Sequence, residues 1–345
     1  MEQSKPLHIT LIGAGTIGLS FAALHLSTST SSRPVQITIH DTRPNLEEYI
    51  RATLPSYLPE HVKASQILYA QQLNSARRRS IIDRLFANNV LRIATDLGDA
   101  VYDADIIQEQ GPESLEFKAT IWKEVEEFAP SSALLWSSTS GIPASLQSKG
   151  MRDPGRLVVV HPYNPPHVMP LLEIVPSSAT RPDVVDKTVE FWRGIGREPV
   201  VLKKECTGFV ANRLAFALFR EAIHLVNDGV ASVEDIDTVV QASMGPRWAV
   251  AGPFKSYHAG GGEGGLKAFF KNIGGTVQEC WDDAGKVNVG DGWEDKVFKQ
   301  TKEAYGVVDV GERDRVTKKV LEAVGEDKLK HIEREMDDTA HVERS

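Results

Sequence analysis

Leu7-His8-Ile9-Thr10-Leu11-Ile12-Gly13-Ala14-Gly15-Thr16-Ile17-Gly18 decides the fold. An apolar β-branched run ends in a turn with glycines at its first, third and sixth positions, and helical periodicity follows from Thr16 to Leu26. In a strand–turn–helix unit the first glycine makes the tight turn and the second lets backbone approach a pyrophosphate. The third lets the helix pack closely on the sheet. Phosphate oxygens then meet the free N–H groups of the helix start, so Gly13, Gly15, Thr16, Ile17 and Gly18 are candidate dinucleotide contacts. The next β-branched run, Val35–His40, closes on Asp41, 28 residues after Gly13. A carboxylate there accepts both hydroxyls of an adenosine ribose and repels a 2′-phosphate. The expected cofactor is NAD rather than NADP, with Arg43 the one counter-signal.

Outward from this stretch, short apolar runs keep alternating with helical patterns: Leu91–Ala94, Asp105–Gln108, Ala133–Trp136, Leu157–Val160, Leu171–Val175 and Val200–Leu202. This predicts βαβ units and a parallel, doubly wound sheet of Rossmann type, with a helical excursion over Asn45–Asn89. After Thr207-Gly208 strand-like runs stop. Phe209–Gly229 reads as one long helix, and Ser232 with Asp235 three residues on reads as the capped start of another. The expected organisation is a NAD-binding domain over residues 1–205 and a smaller all-α domain over 206–345.

Composition limits the function classes. The chain has 345 residues, 41% hydrophobic and 25% charged, and a net charge of −8, which argues against a nucleic-acid partner or an anionic membrane surface. No apolar stretch approaches the roughly 20 residues that span a bilayer. The N-terminus does not read as a signal or transit peptide, and a cytoplasmic protein is expected. Cys206 and Cys280 offer neither metal-ligand spacing nor a disulfide framework, so no metal is expected.

His161 closes the run Leu157–Val160, and Glu173 lies twelve residues on, inside Leu171–Val175. The Pro-rich segment between them is stiff enough to fold the second strand back beside the first. A carboxylate in that apolar strand would hydrogen-bond the imidazole and stabilise an imidazolium, as a base for an alcohol proton requires. Taken alone, a structural histidine at a strand end fits these residues equally well.

Further motifs stand in order: Gln108-Glu109-Gln110-Gly111-Pro112-Glu113, Ser137-Ser138-Thr139-Ser140, His161-Pro162-Tyr163-Asn164-Pro165, Leu172-Glu173 and Gly208-Phe209-Val210-Ala211-Asn212-Arg213-Leu214. With the glycine turn, they make the chain resemble the 3-hydroxyacyl-CoA dehydrogenase family from Leu7 to about Phe254. The resemblance implies a general base at His161 oriented by Glu173, and Ser140 and Asn212 holding the substrate oxygen. It also implies Asn164 near the nicotinamide, Glu109 and Ser140 as cofactor contacts, an active site in a cleft between domains, and a homodimer formed through the second domain. Its nearest look is to the lambda-crystallin (L-gulonate 3-dehydrogenase) and L-carnitine dehydrogenase branches, on Gly141, Pro166 and Gly245-Pro246-Arg247-Trp248-Ala249.

Arg247 suggests a free carboxylate in the substrate, because a guanidinium fork matches a carboxylate in bidentate fashion. A surface salt bridge is the plainer alternative. Tyr163, Trp248, Phe254 and Tyr257 would suit a trimethylammonium group if they converge, or be ordinary core. His258–Gly265 reads as a flexible glycine loop. Arg77-Arg78-Arg79 would suit the 3′-phosphate of a CoA thioester, or simply cover a solvated helix. A small L-3-hydroxy acid is thus the first expectation, a hydroxyacyl-CoA the second, and a catalytically silent NAD-binding protein the third.

Overall fold

The computed structural model describes residues 5–30, 32–58 and 81–342. Arg77–Arg79 lie outside them. The chain divides into two compact units, Met1–Asn212 and Arg213–Ser345, which part seven residues beyond the expected boundary.

The first unit is one eight-stranded sheet between helices. Its strands are β1 (Leu7–Ile12), β2 (Val35–His40), β3 (Leu91–Ile93), β4 (Ile106–Glu109), β5 (Leu134–Ser137), β6 (Leu157–Pro162), β7 (Leu171–Val175) and β8 (Glu198–Val201). Their spatial order is β3-β2-β1-β4-β5-β6-β7-β8. The chain winds one way from β1 to β3 and the other way from β4, so the strand order reverses between β1 and β4. Crevices for ligands form at such points, outside the carboxyl ends of the strands. β1 to β6 are parallel, whereas β7 runs antiparallel to β6 and β8 parallel to β7. The sheet is therefore mixed at this edge, because the connection from Tyr163 to Pro170 has no helix to carry the chain back across.

Burial alternates along the strands as the pleat demands. Ile9, Leu11, Trp136, Val158, Val160, Leu172 and Ile174 belong to one buried cluster, while Ile12, Leu135, Leu157, Val159 and Val175 belong to another. Both faces are covered, which is why these strands read as continuous apolar runs. Helix Thr16–Thr28 buries every residue from Gly18 to Leu26, as expected of a helix apolar all round. Helix Leu115–Phe128 starts at Ser114, whose side chain accepts from the Phe117 amide.

The second unit contains only helices among the described residues, including Val233–Ala242, Met244–Ala251, Pro253–Gly260, Gly265–Asp283 and Glu294–Tyr305. Ser232 and Asp235 form a reciprocal capping box, as their spacing predicts. The long helix runs Ala211–Asn227, two residues shorter at its start than the periodicity suggests. Gly208 and Phe209 both take positive φ, +72° and +51°, and helical backbone cannot begin until they are passed. The glycine-rich stretch after His258 is not an open loop. It is a tight passage between Pro253–Gly260 and Gly265–Asp283, where a Cβ on Gly265 would collide with the His258 ring.

His25 is the exception inside the apolar helix. Its Nε2 donates to Gln108 Oε1 at 3.2 Å, and its Nδ1 has no partner. Burial, countered by the Gln108 hydrogen bond and reinforced by Arg33 and Arg197, lowers its pKa from the ordinary 6.5 to about 4. Unfolded chains bind a proton here between these two pH values and the folded protein does not. The neutral ring's stabilisation is therefore complete above pH 6.5 and lost as pH falls toward 4, about 3 kcal/mol in all. His25→Leu is expected to flatten that part of the stability–pH curve, measured by urea denaturation at pH 7 and pH 4.5. An unchanged slope would show that the proton is taken up elsewhere.

Candidate active site

The crevice between β1 and β4 fits a dinucleotide. Gly13 takes φ +100°, and a Cβ there would lie 2.9 Å from the Gln110 carbonyl oxygen. A Cβ on Gly18 would overlap the Gly13 carbonyl oxygen. Over Gly15 nothing lies within 4 Å, and its φ of −69° is ordinary. Two glycines thus close the turn against protein, while the middle one leaves room beside the start of Thr16–Thr28, whose first turn carries no acidic side chain. Thr16 and Ile17 open that helix beside this space.

A cavity of about 330 Å³ continues from Gly13 and Gly15 past Asp41 and Arg43 to Pro112 and Ile121. Asp41 accepts from the Ala14 amide through Oδ2 at 2.7 Å and from the Arg43 amide through Oδ1 at 2.8 Å. Each carboxylate oxygen keeps a second lone pair for a ribose hydroxyl. The Arg43 guanidinium lies 3.7 Å over the Tyr49 ring. Empty space over Gly15, beside a helix start and an acceptor at Asp41, is what NAD requires.

The second centre stands on β6 and β7. His161 and Glu173 are register partners across that antiparallel pair. Side chains alternate along each strand, so both project to the same face as Val159 and Val175. His161 Nδ1 lies 2.8 Å from Glu173 Oε2, with both residues buried. The other oxygen, Oε1, accepts from the amides of Val210 at 2.8 Å and Ala211 at 3.0 Å. These head the helix Ala211–Asn227, where N–H groups and dipole favour an anion. Burial pushes the Glu173 carboxyl up, but hydrogen bonds from His161 and the Ala211 and Val210 amides outweigh it, and its pKa is held below the usual carboxylate range. With Nδ1–H turned to the carboxylate, Nε2 is the imidazole's acceptor.

Ser140 and Asn212 are brought together: Asn212 Nδ2 donates to the Ser140 carbonyl oxygen at 3.0 Å. Asn212 is the last residue of the first unit, and both side chains belong to that unit. The Ser140 loop hangs on Glu113, a residue quoted in the sequence motif but given no role there. Its Oε1 accepts from Thr139 Oγ1, the Ser140 amide at 3.0 Å and the Gly141 amide at 3.1 Å. An acid immediately before the capping Ser114 of the next helix, with a Ser-Thr-Ser-Gly turn after β5, is the signal that could have found it.

Glu109, which the resemblance makes a cofactor contact, stands at the end of β4. It is fully buried, and both its oxygens accept from Lys118 Nζ, at 2.9 and 3.0 Å. The Gly111 amide at 2.7 Å and Ser137 Oγ at 3.1 Å add to them. Periodicity could not show that a lysine from helix Leu115–Phe128 is buried beneath it. Lys118 also lies 3.8 Å from Glu113, whose side chain is half-exposed.

The remaining candidates are dispersed in sequence. Asn164 and Tyr163 are exposed in the loop after β6. Arg247 is exposed on helix Met244–Ala251 of the second unit. Tyr257 packs on Phe269, with ring centroids 5.1 Å apart, while Phe254 is 80% exposed. Among the described residues no group of three or more His, Cys, Asp or Glu could hold a metal ion, and no helix is long and apolar enough to cross a membrane.

Comparison with known proteins gives the family. Residues 8–206 match the 3-hydroxyacyl-CoA dehydrogenase NAD binding domain, and residues 208–287 match the C-terminal domain of the same family. An L-carnitine dehydrogenase from Nocardiopsis dassonvillei is 34% identical over 79% of this chain and 77% of that protein. Another from Streptomyces griseus is 33% identical over 92% of this chain and 90% of that protein. Among solved structures, the NAD+-dependent 5-formyl-3-hydroxy-2-methylpyridine 4-carboxylic acid 5-dehydrogenase is 28% identical, with a TM-score of 0.72 over 93% of this chain and 99% of that one.

The three glycines should separate by experiment. Gly15→Ala is expected to fold with unchanged thermal stability yet bind NADH roughly tenfold or more weakly, measured by NADH fluorescence, because its Cβ fills only the empty space. Gly18→Ala should lose both stability and binding. Full NADH affinity in a folded Gly15→Ala protein would place the pyrophosphate elsewhere.

Proposed function

This chain belongs to the 3-hydroxyacyl-CoA dehydrogenase family, and on that footing we propose that it oxidises the 3-hydroxyl of a small free L-3-hydroxy acid, L-carnitine first among candidates. It is an NAD-dependent oxidoreductase acting on a CH–OH group. The observation that carries the reading is the buried His161–Glu173 hydrogen bond of 2.8 Å, with Glu173 anchored by two backbone amides.

In this reading His161 Nε2 takes the hydroxyl proton, and Nδ1–H stays on Glu173, which stabilises the imidazolium as it forms. Glu173 keeps its charge because two amide donors share it, so the proton stays on the ring. Bound NAD+ supplies the hydride acceptor. Ser140 Oγ and the side chain of Asn212 hold the oxygen that becomes the ketone. The tie from Asn212 to the Ser140 carbonyl, and from Glu113 to the loop amides, supports their acting as one unit. Asp41 takes the adenosine ribose hydroxyls, and Asn164 lies toward the nicotinamide end.

The substrates named for these three relatives, carnitine and a pyridinecarboxylic acid, are free acids rather than thioesters, whereas a further relative, 31% identical, is named a 3-hydroxyacyl-CoA dehydrogenase. A free acid needs a cation, and Arg247 is the residue we assign to it; its guanidinium would take the carboxylate through two parallel hydrogen bonds. The second unit leaves Leu214, Phe216 and Phe219 of helix Ala211–Asn227 between 56% and 63% exposed. Large apolar side chains in such a cluster support a homodimer formed through this helix.

NADH formation with L-carnitine, L-gulonate, 3-hydroxybutyrate and 3-hydroxybutyryl-CoA tests the substrate. Turnover of L-carnitine is expected; turnover of the thioester alone would move the assignment to acyl-CoA chemistry. His161→Ala should lower kcat by about a thousandfold or more while leaving NADH affinity intact. Arg247→Met should raise KM for the free acid by about a hundredfold, and an equal effect on a neutral ester would remove Arg247 from the site. Light scattering should give twice the chain mass, and Phe216→Glu should halve it; a monomeric wild type would rule out the dimer.

A further inference from the structure

Among the described residues, two that are not glycine take positive φ: Asn89 at +58° and Phe209 at +51°. Asparagine tolerates that region because its short polar side chain can bond locally. Phenylalanine does not, and a bulky residue held there marks a place where surrounding structure over-determines the backbone. Phe209 follows Gly208, itself at +72°, so two consecutive residues are left-handed.

The consequence is visible one residue on. Successive left-handed residues turn the chain sharply before helix Ala211–Asn227. The amides of Val210 and Ala211 then point the same way and converge on one atom, Glu173 Oε1, at 2.8 and 3.0 Å. Such a concavity of backbone N–H groups is an anion site. Its occupant is the carboxylate whose other oxygen meets His161.

The Phe209 side chain is packed on the same site. It is fully buried, in the same cluster as Leu157, Val159 and Val175, and its ring centroid lies 5.3 Å from that of His161. Its amide donates to the Cys206 carbonyl oxygen at 3.1 Å. Space-filling alone would not require this backbone: a core phenylalanine packs as well from ordinary φ, and a glycine would make the same turn without strain. A large ring kept at a position suited to glycine indicates that the ring and the turn act together.

We propose that Phe209 is a positioning residue, whose buried ring holds Gly208 and Phe209 left-handed so that the Val210 and Ala211 amides keep Glu173 aimed at His161. The inference rests on the reading of His161 and Glu173 as the catalytic pair. Replacing the ring by hydrogen leaves the backbone free to leave the left-handed region, and the two amides then lose their common aim. Phe209 touches neither substrate nor cofactor in this role and acts only through Glu173.

A double-mutant cycle tests it in the full chain. Phe209→Gly is expected to lower kcat by about tenfold or more, with KM for NAD+ and NADH affinity unchanged. Phe209→Leu, which restores apolar bulk at the same site, should recover most of that loss. In a Glu173→Gln background, Phe209→Gly should cost less than about twofold, since the carboxylate it positions is gone. Equal cost in both backgrounds, or no cost in either, would overturn the proposal. Should Phe209→Gly fail to fold, Phe209→Ala, which also removes the ring, carries the same cycle, and additive effects there overturn it equally. If Glu173→Gln alone leaves kcat unchanged, the pair itself is misassigned, a failure distinct from that of Phe209.

Discussion

A carboxylate buried to 2% exposure is a liability unless its charge is met on every side, and the arrangement around Glu173 meets it. One oxygen takes the imidazole N–H of His161 and the other takes two amides at the head of a helix. Three separate parts of the first unit must be in place for this: the β6–β7 pairing, the left-handed turn at Gly208–Phe209, and the helix start at Ala211. The pairing supplies register, the turn supplies direction, and the helix supplies a favourable potential. None of the three would hold the acid ionised alone.

A similar economy governs the dinucleotide crevice. Gly13 and Gly18 are small because protein backbone comes against them, and Gly15 is small because nothing does. Asp41 closes the crevice after accepting from Ala14 and Arg43, so its carboxylate is fixed in place before any ribose arrives. Preorganisation of this kind spares a ligand the cost of ordering the site. Below the Ser140 loop, the buried Lys118–Glu109 pair does comparable work for the protein itself. Two charges removed from water are tolerable only as a matched pair with further hydrogen bonds, and Gly111 and Ser137 provide them.

Much of this is legible in the sequence. Apolar runs of three to six residues, most of them followed by helical periodicity, mark all eight strands to within two residues at either end. The glycine turn and Asp41 mark the crevice after β1, and the interval from His161 to Glu173 sets an acid opposite the imidazole, with its role left open by the residues alone. Ser232 and Asp235 marked a helix start that the structure repeats. These signals are local: a turn, a cap or an alternation is imposed by residues a few positions apart, so one strand of sequence carries it.

What lay beyond the sequence was pairing across long separations. Nothing local distinguishes Glu109, which is sealed under Lys118, from Glu113, which holds the Ser140 loop; both are acids in the same short motif. Nor does periodicity reveal that Phe209, apolar and apparently the first residue of a helix, sits outside it at positive φ. The sequence by itself determined the strand–turn–helix unit, the cofactor crevice and the residue types available for chemistry, because those depend on neighbours in the chain. Tertiary structure alone decided which acid is buried as a counter-ion, which one holds the Ser140 loop and which amides converge on Glu173, because those depend on where distant segments pack.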